Sequence, residues 1–140
     1  MGYLLADLFV EDVEKSIAYY VDVLGFELKG KESAEGVGVF WGWVALGDGQ
    51  IMFGSRESAY KGTYAKPVEF RQGLENNQWG IGVSLHFRDA TPDLDAYYEQ
   101  VKGRGARIVD ELRTTPYGWR LFTVQDLDGY RLGFSVDAPQ

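Results

Sequence analysis

The sequence predicts an α+β fold built from two tandem βαβββ modules. Three observations carry that prediction. The order strand, helix, three strands is legible twice along the chain. Matching landmarks lie about 80 residues apart: Asp12 with Asp93, Tyr19-Tyr20 with Tyr97-Tyr98, Gly25 with Gly105, and Asp48-Gly49 with Asp128-Gly129. The 140 residues are 45% hydrophobic and 15% aromatic, enough for one core. We therefore expect one domain over 1–140, with module one at 1–55, a connection at 56–78 and module two at 79–140.

Each element has its own signal. Tyr3 to Val10 suits a strand. Val13, Ile17, Tyr20 and Leu24 recur on one face of a 3.6-residue period, so 12–24 reads as a helix. Asp12 can cap its start, and Gly25 can end it in the left-handed conformation. Strands are predicted at 26–31, 37–46 and 50–55, with Gly47-Asp48-Gly49 as a tight turn. In module two a strand at 82–88 leads to Thr91 and Pro92, a natural cap and first helical position. Leu94, Tyr98 and Val101 follow on one face. Gly103 to Gly105 ends that helix, and strands are predicted at 106–112, 119–125 and 130–136, with Asp128-Gly129 as a turn. The segment from Arg56 to Gln78 has no clear period and is long for an internal loop, which fits a flap, a crossover or a plain surface linker.

Composition excludes several function classes. No apolar run approaches the roughly 18 residues of a membrane span. The N-terminal stretch lacks the basic and apolar pattern of a signal peptide, so a cytoplasmic location is expected. The absence of cysteine removes thiolate nucleophiles and zinc–cysteine sites. A net charge of −7 without a basic cluster argues against nucleic acid, and leaves solubility or a cationic ligand as its use.

The run Asp12-Val13-Glu14-Lys15-Ser16-Ile17-Ala18-Tyr19-Tyr20, leading to Leu24-Gly25-Phe26, resembles the vicinal-oxygen-chelate superfamily. That group holds glyoxalases, bleomycin-resistance proteins and extradiol dioxygenases. In module two, 116–122 followed by Asp126-Leu127-Asp128-Gly129-Tyr130-Arg131-Leu132 is similar to that group's "WG-x-R … DPDGN" stretch. The resemblance spans nearly the whole chain. It implies βαβββ modules whose sheets curl round a cleft, a homodimer, and in metal-dependent members a divalent ion held by His, Glu or Gln from the first and last strands of each module.

Counting back from the helix-start aspartates puts the first-strand positions at Leu5 and His86. The last-strand positions fall at Met52 (or Phe53) and Gly133. Only His86, the single histidine, is a competent ligand among them. Asp7 lies two residues beyond Leu5 on the same strand face and could join it. Ser84 and His86 also share a face, but at a spacing that usually precludes a direct nucleophile–base hydrogen bond. No Gly-x-Ser-x-Gly elbow, phosphate loop or dinucleotide fingerprint is present, and Glu11, Asp12, Asp93 and Asp95 cluster at helix starts as caps.

Aromatic side chains remain. Trp41 and Trp43 share one strand face with Phe40 on the other, and Trp79 and Trp119 lie near module two's first strand and WG-like stretch. Such rings stack on planar ligands and attract cations, or they simply fill a core or a dimer interface. The reading taken forward is a metal-free, bleomycin-resistance-like binding protein that sequesters a planar or cationic organic molecule. Asp7, Trp41, Trp43, Ser84, His86 and Trp119 are its expected ligand-binding residues; it has no catalytic residue and no cofactor. The alternative is a glyoxalase- or dioxygenase-like metalloenzyme with a displaced metal site using His86 and Asp7. A third reading is a subunit whose cleft is filled by its own side chains and which acts only by association.

Overall fold

The computed structural model describes residues 2–56, 72–73, 75–76 and 79–140. Module one runs β1 (Leu5–Val10), α1 (Val13–Ala18), β2 (Glu27–Ala34), β3 (Gly38–Leu46) and β4 (Gly49–Ser55). Module two runs β5 (Ser84–Arg88), α2 (Leu94–Gly103), β6 (Arg107–Thr114), β7 (Trp119–Gln125) and β8 (Arg131–Asp137). The predicted connection at 56–78 falls largely outside the described residues.

Each module makes one four-stranded sheet, ordered β1-β4-β3-β2 and β5-β8-β7-β6. The first and last strands of each module pair in parallel, and the other pairings are antiparallel. Parallel pairing needs a crossover, which the helix and two intervening strands supply. The expectation that the sheets curl round a cleft is corrected here. Closure requires the two edge strands to pair, yet β1 and β2, like β5 and β6, lie on opposite edges of open sheets.

The helices begin as their caps dictate. Asp12 accepts a hydrogen bond from the Lys15 amide at 3.0 Å, and Asp93 accepts one from the Ala96 amide at 3.1 Å. The cap of α2 is thus Asp93; Thr91 and Pro92 lie outside it, because the carboxylate reaches the first free amides. After Ala18 the helix widens into a π-helical turn over Tyr19–Val23, and Gly25 (φ +75°) turns the chain into β2.

One face of each sheet is covered by its helix. Ile51 and Phe53 of β4 and Leu132 and Phe134 of β8 point to that side and are buried in one core spanning both modules. Each such side chain contributes about 1.5–3 kcal/mol by burial. Phe26 and Phe87 meet edge to face across the modules at 5.4 Å. Tyrosine hydroxyls then clasp the modules together. Tyr97 donates to the Leu24 carbonyl at 2.6 Å, Tyr130 to the Phe9 carbonyl at 2.7 Å and Tyr19 to the Gln125 carbonyl at 3.0 Å.

Candidate functional site

Strand alternation sends every second residue to the face opposite the helix. On sheet one that open face carries Asp7, Trp41, Trp43, Gln50 and Met52. Asp7 pairs in register with Met52, and Trp43 with Met52 from the other side. The Trp41 and Trp43 rings lie 6.4 Å apart, tilted, over Gly30, where a Cβ would meet the Trp41 ring at 3.5 Å. Trp43 donates its indole N–H to Gln50 Oε1 at 2.8 Å.

On sheet two the open face carries His86, Arg88, Gly133, Ser135 and Trp119. His86 Nε2 and Ser135 Oγ share a hydrogen bond of 2.6 Å, and Arg88 Nη1 donates to the same hydroxyl at 3.2 Å. The Arg88 guanidinium lies 3.9 Å from the Trp119 ring centroid and forms an ion pair with Asp137. His86 and Trp119 face each other at 5.6 Å, and Tyr117 meets Trp119 edge to face at 5.9 Å. Burial, reinforced by the Arg88 charge, pushes the imidazole pKa down.

The six predicted ligand residues therefore divide by sheet: Asp7, Trp41 and Trp43 on one, Ser84, His86 and Trp119 on the other. A pocket of about 450 Å³ lies where the modules meet; of the six, His86 lines it and the other five do not. Gln50, the partner of Trp43, lines one side; His86 and Arg88, the neighbours of Trp119, line the other. Tyr3 and Leu4, 58% and 83% exposed, add apolar surface, and Asp48 and Asp89 add carboxylates. Arg88 was absent from the predicted set, although its period-two spacing from Ser84 and His86 placed it on their face.

The ladder corrects one equivalence. Phe87 pairs with Phe134 and Leu8 with Phe53, and all four are buried. The module-one counterpart of His86 is therefore Asp7, rather than Leu5. Counting back from the helix caps misplaced it because the link from β5 to α2 is longer than that from β1 to α1.

A divalent ion does not fit this framework. With Asp7 in place of Leu5 the four positions read Asp7, Met52, His86 and Gly133, and two of them offer no hard or borderline donor. The space at Gly133 is also taken: a Cβ there would stand 2.6 Å from His86 Nδ1. Among the described residues, no group of three or more His, Cys, Asp or Glu side chains could hold a metal ion. The Ser135–His86 pair is no better as a nucleophile and base. Ser135 is 1% exposed, its hydroxyl also accepts from Arg88, and the imidazole is made less basic. Ser84 takes no part, since His86 turns to Ser135.

The motif residues outside the pocket have structural work. Asp126 Oδ1 accepts from the amides of Asp128, Gly129 and Tyr130, while its Oδ2 accepts from the buried Tyr20 hydroxyl at 2.7 Å. Arg120 grips Asp95 at the start of α2 through two bonds of 2.8 and 2.9 Å. No described helix is long and apolar enough to cross a membrane.

Comparison with known proteins agrees with this architecture. Residues 2–134 match the family model described as Glyoxalase/Bleomycin resistance protein/Dioxygenase superfamily. The uncharacterized protein YwbC of Bacillus subtilis (strain 168) is 28% identical over 131 residues, covering 91% of this chain and 90% of its own. TioX from Micromonospora sp. ML1 superposes with a TM-score of 0.71 at 21% identity, covering 98% of this chain and 99% of its own. TnmS3, an antibiotic binding protein from Streptomyces sp. CB03234, superposes with a TM-score of 0.67 at 24% identity, covering 99% and 98%. These last two likenesses are of fold.

Proposed function

The chain belongs to the Glyoxalase/Bleomycin resistance protein/Dioxygenase superfamily, and we propose that it acts there as a binding protein that sequesters a planar or cationic organic molecule without a catalytic metal. One observation carries this reading most directly: the His86 ring fills the room beside Gly133 where a fourth ligand would have to stand. What borders the pocket instead is suited to capture: Gln50, His86 and Arg88 are fixed polar groups, Tyr3 and Leu4 add apolar surface, and indole rings stand behind that lining, Trp43 on Gln50 and Trp119 beside His86 and Arg88. That TnmS3 is an antibiotic binding protein supports an antibiotic-like ligand here. Asp7, Trp41, Trp43, Ser84, His86 and Trp119 are the contact residues of this reading, joined by Arg88.

We further propose that the chain works as one two-module domain, cytoplasmic, and paired in a homodimer whose second copy covers the open sheet faces. Half-buried tryptophans on those faces support pairing, and sedimentation showing only monomer would remove it. The metal-free reading is tested by melting the protein with and without Zn(II), Ni(II), Mn(II) and Fe(II). A shift below about 1 °C is expected for each. A stoichiometric ion in the purified protein that His86→Ala abolishes would sink the proposal.

A further inference from the structure

We propose that the pocket selects planar aromatic ligands that carry one acidic oxygen group, a carboxylate or phenolate, and that Arg88 is the residue that selects them. This rests on the binding-protein reading above and narrows its ligand class. Arg88 lines the pocket and its guanidinium is held in place: over the Trp119 ring at 3.9 Å, on Ser135 Oγ at 3.2 Å, and against Asp137. These contacts use only part of its fork of N–H donors, which matches the two oxygens of a carboxylate. A flat ligand can lie against Tyr3 and Leu4, the exposed apolar residues of the lining, while its acidic oxygen meets the guanidinium edge.

The group now facing Arg88 is easily displaced. Asp137 ends β8 with its side chain 83% exposed, so the pair is bathed in water and weakly held. A ligand carboxylate that also brings a ring against Tyr3 and Leu4 gains contacts Asp137 lacks. Asp48 and Asp89, also in the lining, disfavour a second negative group. The charge of −7 is a property of the whole surface, whereas Arg88 is a cationic side chain set in the pocket lining itself.

The test uses three matched probes: 2-naphthoate, neutral 2-naphthalenemethanol and cationic 2-naphthalenemethylamine, each titrated by quenching of tryptophan fluorescence. Naphthoate is expected to bind about tenfold tighter than the alcohol, and Arg88→Gln to erase that advantage. Asp137→Asn removes the competing carboxylate and is expected to tighten naphthoate several-fold; it decides the matter should Arg88→Gln fail to fold. Naphthoate no tighter than the alcohol, an advantage that survives Arg88→Gln, or no gain in Asp137→Asn overturns the inference. If the alcohol or the amine binds and naphthoate does not, the binding-protein reading stands and this inference falls. If none of the three binds, the reading falls with it.

Discussion

The two modules are alike where they face their helices and unlike where they face away. Ile51 and Phe53 on sheet one and Leu132 and Phe134 on sheet two occupy the same places in the same ladder, and all four are buried. On the opposite faces the counterparts Asp7 and Met52 stand where His86 and Gly133 stand, and a tryptophan pair is set against an Arg–Trp–His cluster. Packing constrains volume tightly, so the covered face of a duplicated unit keeps its residue types. The open face is free of that constraint, and there each module has acquired its own chemistry.

The largest expected effect tests the similarity. Phe53→Ala and Phe134→Ala each remove a fully buried ring, and each is expected to cost about 3–5 kcal/mol in urea unfolding. Equal losses support equivalent roles, whereas a loss under about 1 kcal/mol in either would break the correspondence. The next test addresses the difference. Gly133→Ala drives a methyl group into the His86 ring and is expected to cost about 1–3 kcal/mol, recovered in part by adding His86→Ala. Gly30→Ala, whose methyl would meet the Trp41 ring at an ordinary 3.5 Å, should escape that steric cost. If the two substitutions prove equally costly, the filled space at Gly133 is not what distinguishes the sheets.

The smallest effect concerns the turns. Module one turns at Gly47-Asp48-Gly49 with Asp48 exposed, while module two buries Asp126 among three amides and the Tyr20 hydroxyl. Burial raises the Asp126 pKa from 3.8 to about 6. The folded state therefore holds this proton more tightly than the unfolded chain does. The resulting stabilisation is complete below about pH 4 and is lost as the pH rises through about 6. The melting temperature of the wild type relative to Asp126→Asn should accordingly fall by a few degrees between about pH 4 and pH 7. A difference that is flat with pH, or that rises, would contradict the assignment to this carboxyl group.

Much of this was legible in the sequence, and the remainder was not for identifiable reasons. The helical period of Val13, Ile17, Tyr20 and Leu24, the caps Asp12 and Asp93, and the glycine turns are local signals, and they gave the element order. Register is not local. The count from helix cap to strand failed at Leu5 because the two strand-to-helix links differ in length, which only the ladder reveals. Trp41 and Trp43 share a strand face, as their period-two spacing requires, but no spacing rule could say that Gln50, His86 and Arg88 stand in the pocket lining where the modules meet. Arg88 was passed over because its partners, Ser135, Asp137 and Trp119, come from two other strands.

The tyrosine clasps have a consequence for how such a protein can change. Tyr97, Tyr130 and Tyr19 reach across to the carbonyl oxygens of Leu24, Phe9 and Gln125. Every residue type presents a main-chain carbonyl, so the receiving module can exchange its side chains without releasing its neighbour. Cohesion is written into a part of the polymer that mutation does not alter. The open strand faces are thereby left free to change while the two halves stay joined.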